Sequence, residues 1–361
     1  MARVGGGGAV SGGGAAGGDP AGGGQAGNEQ AGSGQAGTVE EVLGLLNGFR
    51  AAKFLMVGCE LGVFEALADS PGGVDVGALA ERVGVSRRAG RICADALVAI
   101  GLLVREGDRY RNAPAARHLS GESGVDLRAF VRFTDRVSYP AWGGLAEALR
   151  SGPVNRITAL SAEQQEVFSS GVEALNAGPA AAIAASGHLV GRRALLDVGG
   201  GTGSWSAAAV RAHGGLRATV VEWPPVAELA RRRVVDAGLG GRIDVVAGDV
   251  RVDPMPQGHD CCLLANVVHV FSPEDNELVL ANARRAVVAG ARLLLVDYWT
   301  GPTGAEPAVA ALMAGEFAVN SEDGDVYGVD DVVAWLGATG WRFLGREAVA
   351  GAKSAVVAEA V

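Results

Sequence analysis

From Thr38 onward the apolar residues recur at helical spacing. Val39, Val42, Leu43, Leu45 and Leu46 open an amphipathic run that continues through Phe49 and Ala52. Residues 54–67 are apolar at mostly three- and four-residue intervals, and 74–86 read as a helix, a turn and a Ser86 N-cap. The next helix passes through Ile92, Leu97 and Ile100 and is closed by Gly101. Residues 102–111 then alternate as a hairpin with its turn at Gly107-Asp108. Three helices and a hairpin predict a winged-helix module over 38–123.

Residues 124–190 return to helical spacing, punctuated by Pro140 and Pro153, and an alanine-rich helix is expected from Phe168 to Ser186. This segment is expected to link two domains and to contribute to a substrate pocket. Arg128, Arg132 and Arg136 share one helix face, as a solvated or subunit-facing stripe or as a clamp for an anion.

At Arg193 the rhythm changes to strand–helix alternation. Strands are predicted at 194–198, 217–222, 243–249, 259–266 and 292–297, each a nearly continuous apolar run, as in a sheet covered on both faces. Residues 341–344 and 354–358 are expected to pair as an antiparallel hairpin at the sheet edge. The fold class is therefore α/β: a Rossmann-like, mostly parallel sheet over 191–361, behind a mostly helical module.

Composition changes this picture at the N-terminus. Of 57 glycines, sixteen fall within residues 1–37, a stretch too poor in apolar side chains to form a core and expected to be a disordered tail. No run of eighteen uncharged apolar residues occurs, and no apolar stretch follows Arg3 as a secretory signal would require. Cys59, Cys93, Cys261 and Cys262 lack metal-ligand spacing, so a reduced, cytoplasmic setting is expected. A winged helix raises DNA binding, and Arg87, Arg88 and Arg91 would lie on its recognition helix. The net charge of −9 and the apolar continuation of that helix argue against nucleic acid. No membrane partner is expected either.

The chemistry is concentrated after the first strand, at Asp197-Val198-Gly199-Gly200-Gly201-Thr202-Gly203. Closely spaced glycines allow a sharp strand-to-helix turn and close approach to a ligand. Asp197, two residues before Gly199, can accept from a cationic amine. Glu222, ending the second strand, is placed for ribose hydroxyls, and Asp249 with Val250, ending the third, for an adenine ring. Asn266 closes the fourth strand on the same edge. An amine, a free ribose and adenine without phosphate together describe S-adenosylmethionine.

These residues also carry a resemblance. Leu196 to Gly203, followed by His269-Val270-Phe271-Ser272-Pro273-Glu274-Asp275-Asn276 and a closing hairpin, resembles the plant-type small-molecule O-methyltransferases and their bacterial natural-product relatives. The likeness spans Thr38 to Val361 and implies a class I methyltransferase domain, with a winged-helix domain that makes a homodimer. It implies His269 as the catalytic base, since neutral histidine suits a phenol of pKa about 10 held about 3 Å from the methyl carbon. Asp297 stands where relatives carry a longer glutamate that orients the imidazole. Val270 and Val326 stand where relatives carry acids. A metal-assisted branch exists, but no second histidine accompanies His269 and Asp297, so no metal is expected. Other relatives methylate carbon or have left methylation altogether. Tyr139, Trp142, Tyr298, Trp299, Phe317, Asn320 and Tyr327 are the expected lining of a pocket for a flat aromatic acceptor.

Overall fold

The computed structural model describes residues 37–156 and 159–361. All but Gly37 of the expected glycine-rich tail lies outside them. The first helix, α1 (Val39–Glu60), starts at a capping box: the Glu41 amide donates to Thr38 Oγ1 at 3.2 Å, and the Glu41 carboxylate accepts from the Thr38 amide at 2.9 Å. It is followed by α2 (Val63–Ala68), β1 (Val74–Asp75), α3 (Val76–Arg82) and α4 (Arg87–Ala99). Asp75 caps α3 by accepting from the Gly77 amide at 2.9 Å, and Ser86 caps α4 from the Ala89 amide at 3.2 Å. The hairpin β2 (Leu103–Glu106) and β3 (Arg109–Asn112) gains β1 as a third strand, in the order β1-β3-β2. Phe64, Leu67, Leu79, Leu97 and Tyr110 form the core of this module.

A bent helical run leads onward: α5 (Arg128–Phe133), a wide π-type turn over Thr134–Ser138, and α6 (Tyr139–Trp142). The widening falls just before Pro140, which has no amide proton to continue an ordinary α ladder. Arg128 pairs with Asp126 and Glu65, and Arg136 lies 3.3 Å from Glu60, while Arg132 faces solvent. The arginine stripe is thus a surface feature tied to α1 and α2. After α7 (Leu145–Ser151), the long α8 (Ala162–Ala185) crosses to the second domain, six residues longer at its start than its alanine-rich part suggested.

That domain runs β4 (Ala194–Val198), α9 (Ser204–Ala212), β5 (Arg217–Glu222), α10 (Pro224–Asp236), β6 (Ile243–Ala247), β7 (His259–Ala265), α11 (Pro273–Ala286), β8 (Val287–Asp297), α12 (Ala308–Asn320), α13 (Val329–Ala338), β9 (Trp341–Ala350) and β10 (Lys353–Ala360). The sheet order is β6-β5-β4-β7-β8-β10-β9, with β4 to β8 parallel and the last two strands antiparallel. Alternation explains the apolar runs. Leu196, Cys262 and Leu264 face the core under α11 and α13, while Leu195, Cys261 and Leu263 face the core under α8 and α9. This class I methyltransferase architecture brings the C-terminal ends of β4, β5, β7 and β8 to one edge, where open α/β sheets bind ligands.

Candidate functional site

The turn after β4 is built for close approach. Gly199, Gly201 and Gly203 have φ of 63°, 57° and 80°, a region that side-chain-bearing residues rarely occupy. At Gly200 the reason is space, since a Cβ there would stand 2.6 Å from the Asp197 carboxyl carbon. Asp197 is fully buried. Its Oδ2 accepts from Ser206 Oγ at 2.6 Å, and its Oδ1 has no partner among the described residues. Burial, with the nearby Glu222 charge adding to it, pushes this carboxyl up to about 6. A buried carboxylate with one free oxygen at a glycine turn could accept from a cationic amine.

Glu222 reaches the same turn from β5. Its Oε2 accepts from the Gly201 amide at 2.7 Å and its Oε1 from the Trp223 amide at 2.8 Å. Each oxygen keeps a lone pair for a ribose hydroxyl. Glu173, on α8, accepts from Thr202 Oγ1 and so ties the turn to the crossing helix. Asp249 is more engaged than the sequence suggested. Arg251 donates to both its oxygens, at 3.0 and 2.8 Å, and bridges to Asp275 at 2.8 Å, holding the Asp249 carboxyl below its ordinary range. Val250 packs in the core under α11, and its carbonyl accepts from Asn282 at 2.9 Å.

Beyond β7 the chain makes a short turn that carries His269. Asn276, at the first turn of α11, donates to the carbonyls of Val268 at 2.9 Å and Phe271 at 3.2 Å, fixing that turn. His269 Nδ1 lies 2.7 Å from Asp297 Oδ1, at the end of β8. The shorter acid therefore reaches the imidazole. Asp297 Oδ1 also accepts from the Tyr298 amide at 2.8 Å, so the carboxylate is held by its own backbone. An ionised carboxylate can only accept, so Nδ1 carries the proton and Nε2 offers a lone pair. Phe317 stacks on the imidazole at 4.0 Å between centroids and 11° between planes.

Around this pair the structure gathers part of the expected aromatic lining. Phe317 and Tyr298 share a small cluster with Val326, and Trp142 meets α12 where it passes Gly315. Asn320, buried at the end of α12, accepts from Asn155 Nδ2 at 2.8 Å. Three others make further contacts. Tyr139 is 36% exposed beside Lys53 on α1. Tyr327 donates to the Phe271 carbonyl at 2.5 Å and packs edge-on against Trp335, and Trp299 is a core residue bonded to the Ser354 carbonyl.

Two charged residues at the site were missed in the sequence. Glu316 is the one charge in the otherwise apolar α12. It accepts from Ser138 Oγ at 2.7 Å, Trp142 Nε1 at 2.5 Å and Asn320 Nδ2 at 3.0 Å, clasping α6 to α12. Lys353, at the start of β10, is 5% exposed. It donates to Asn176 Oδ1 at 2.7 Å and to Asn266 Oδ1, so the Asn266 amide is engaged from within the protein. Asn266 presents that oxygen from a left-handed backbone, φ 60°. A sequence signal did exist for Lys353, since only two of the chain's 31 basic residues are lysines.

Known proteins resemble this chain over most of its length. An O-methyltransferase domain model matches residues 145–342, and an O-methyltransferase dimerisation domain model matches residues 43–121. Among curated relatives, the 3-hydroxy-5-methyl-1-naphthoate 3-O-methyltransferase of Streptomyces sahachiroi is 34% identical over 278 residues, covering 75% of this chain and 80% of its own. The tetracenomycin polyketide synthesis 8-O-methyl transferase TcmO of Streptomyces glaucescens is 29% identical, covering 86% and 94%. Among solved structures, the S-adenosylmethionine-dependent methyltransferase SibL in its apo form aligns with TM-score 0.74 and 29% identity, over 90% of this chain and 99% of that one.

Proposed function

Because the chain belongs to the O-methyltransferase family, we propose that it methylates a hydroxyl of an aromatic small molecule, with His269 as the proton acceptor. It is an S-adenosyl-L-methionine-dependent enzyme, of a family whose bacterial members include the naphthoate and tetracenomycin O-methyltransferases named above. The cofactor's sulfonium supplies an electrophilic methyl group when bound. Asp197 would receive its amine, Glu222 its ribose, and the glycine turn its backbone-close portion; the unpaired Asp197 Oδ1 and the side-chain-free turn at Gly199, Gly201 and Gly203 fit that group.

The observation that carries the reading is the His269–Asp297 contact. With Nδ1 committed to Asp297, Nε2 takes the acceptor's hydroxyl proton as the oxygen becomes the nucleophile. The imidazolium so formed keeps its charge beside the Asp297 carboxylate. Stacking on Phe317 holds the ring plane, and Tyr298, Phe317 and Trp142 offer apolar faces to a flat acceptor. Positioned base catalysis of this kind contributes about 10²–10⁴-fold. Incubation with labelled S-adenosylmethionine and a panel of hydroxylated aromatics tests the reading: a gain of one methyl mass is expected, and none on any acceptor despite cofactor binding would refute it.

The N-terminal module supports a homodimer. On α1, Leu45 is 77% exposed, Leu46 60% and Phe49 52%, an apolar face that water disfavours. Among the described residues α1 alone is long and apolar enough to cross a membrane. It carries Glu40, Glu41, Arg50, Lys53 and Glu60, however, and lies within or beside the dimerisation match, so a second copy of the chain is its proposed cover.

A further inference from the structure

Lys353 is not part of the His269–Asp297 contact, yet it occupies the active edge of the sheet. Its neighbour Ser354 pairs directly with Asp297, and its Nζ lies 4.8 Å from the centroid of the Tyr298 ring. Two amide oxygens, from Asn176 and Asn266, accept from the ammonium. Among the described residues no carboxylate lies within ion-pair distance of it. The amides orient the charge without neutralising it. A buried cation is ordinarily paired, because burial without a counter-ion is expensive. The strain follows the same sign: burial pushes the Lys353 amine down to about 8, only partly offset by Asp297.

Lys353 begins β10, which pairs with β8 and its Asp297, and its ammonium reaches across to Asn266 after β7. Tyr298, on which the ammonium rests, directly follows the residue that orients His269. An anionic group entering beside Tyr298 would find an ammonium oriented by two amide oxygens and lacking an ion-pair partner.

We propose that Lys353 receives a carboxylate carried by the acceptor, making this enzyme selective for hydroxylated aromatic acids over their neutral counterparts. This rests on the methyl-transfer reading above and names the substrate class within it.

The test pairs 3-hydroxy-2-naphthoate with its methyl ester, in wild type, Lys353→Gln and Lys353→Arg. Wild type is expected to bind the acid at least about tenfold more tightly than the ester in the presence of S-adenosylhomocysteine, read by ligand fluorescence. Lys353→Gln should erase that preference and Lys353→Arg restore part of it, with S-adenosylhomocysteine affinity unchanged throughout. Equal binding of acid and ester by wild type overturns the proposal without any variant needing to fold. So does an acid preference that persists in Lys353→Gln, or a loss confined to S-adenosylhomocysteine, which would assign the lysine to the cofactor. Labelled-methyl transfer is measured in parallel. Its absence on every acceptor counts against O-methylation, while the binding comparison still decides the carboxylate site.

Discussion

Asp197 and Gly200 are matched in space: the carboxyl group of one fills the volume that a side chain on the other would need. The relationship makes the cofactor turn intolerant of the smallest change. Gly200→Ala must displace a buried carboxylate that Ser206 holds at 2.6 Å. The expected cost is roughly 1–3 kcal/mol in stability, as for other overpacked sites. Displacing Asp197 should also weaken S-adenosylhomocysteine binding about tenfold or more. Calorimetric titration beside a melting curve checks both; unaltered affinity would detach Asp197 from the amine.

The same aspartate predicts a pH dependence. Its carboxyl titrates at about 6 in the free protein because burial disfavours the charged form. A cationic amine needs that charge, so binding is full above about 6 and is lost as pH falls. The dissociation constant for S-adenosylhomocysteine should rise about tenfold per pH unit below that value. In Asp197→Asn this slope should vanish and affinity should be low at every pH. A slope that survives in the variant assigns the titration to another group.

Glu316 should govern acceptor binding and not cofactor binding. Glu316→Ala leaves Ser138 and Trp142 without their acceptor, leaves Asn320 only the backbone carbonyl of residue 316, and frees α6 from α12. Each orphaned donor costs about 1–3 kcal/mol if it stays buried. The expected result is a raised KM for the acceptor with S-adenosylhomocysteine affinity preserved. Steady-state kinetics separates these, and a change in cofactor affinity alone would contradict the assignment.

The exposed face of α1 predicts the oligomeric state. A charge on that face, as in Leu46→Glu, should shift the protein from dimer toward monomer in light scattering after size exclusion. A wild type that is already monomeric at micromolar concentration would remove the proposed second copy.

The parts of the fold legible in the sequence were those with a strong local signature. Strands β4, β5 and β7 are apolar on both faces, the glycine turn with Asp197 is a contiguous pattern, and Glu222 marks the end of the next strand. His269 was legible from its motif and its position after a strand. β1 was not, because two residues carry no period and the strand exists only by pairing with β3. Tyr139 and Tyr327 are expected pocket residues because they sit on the linker helices and the segment after the fifth strand, and their contacts were not legible. One faces α1, and the other spends its hydroxyl on the Phe271 carbonyl. The roles of Glu316 and Lys353 were not legible for the converse reason: the partners Trp142 and Asn176 lie 174 and 177 residues away, and only tertiary packing brings them together.

The central claim is that His269, held by Asp297, removes the acceptor's proton. The direct measurement is kcat for His269→Ala against wild type with any acceptor the panel identifies, alongside S-adenosylhomocysteine binding. The account predicts a fall of about 10²–10⁴-fold in kcat with cofactor affinity intact. A variant whose turnover stays within about threefold of wild type would contradict it.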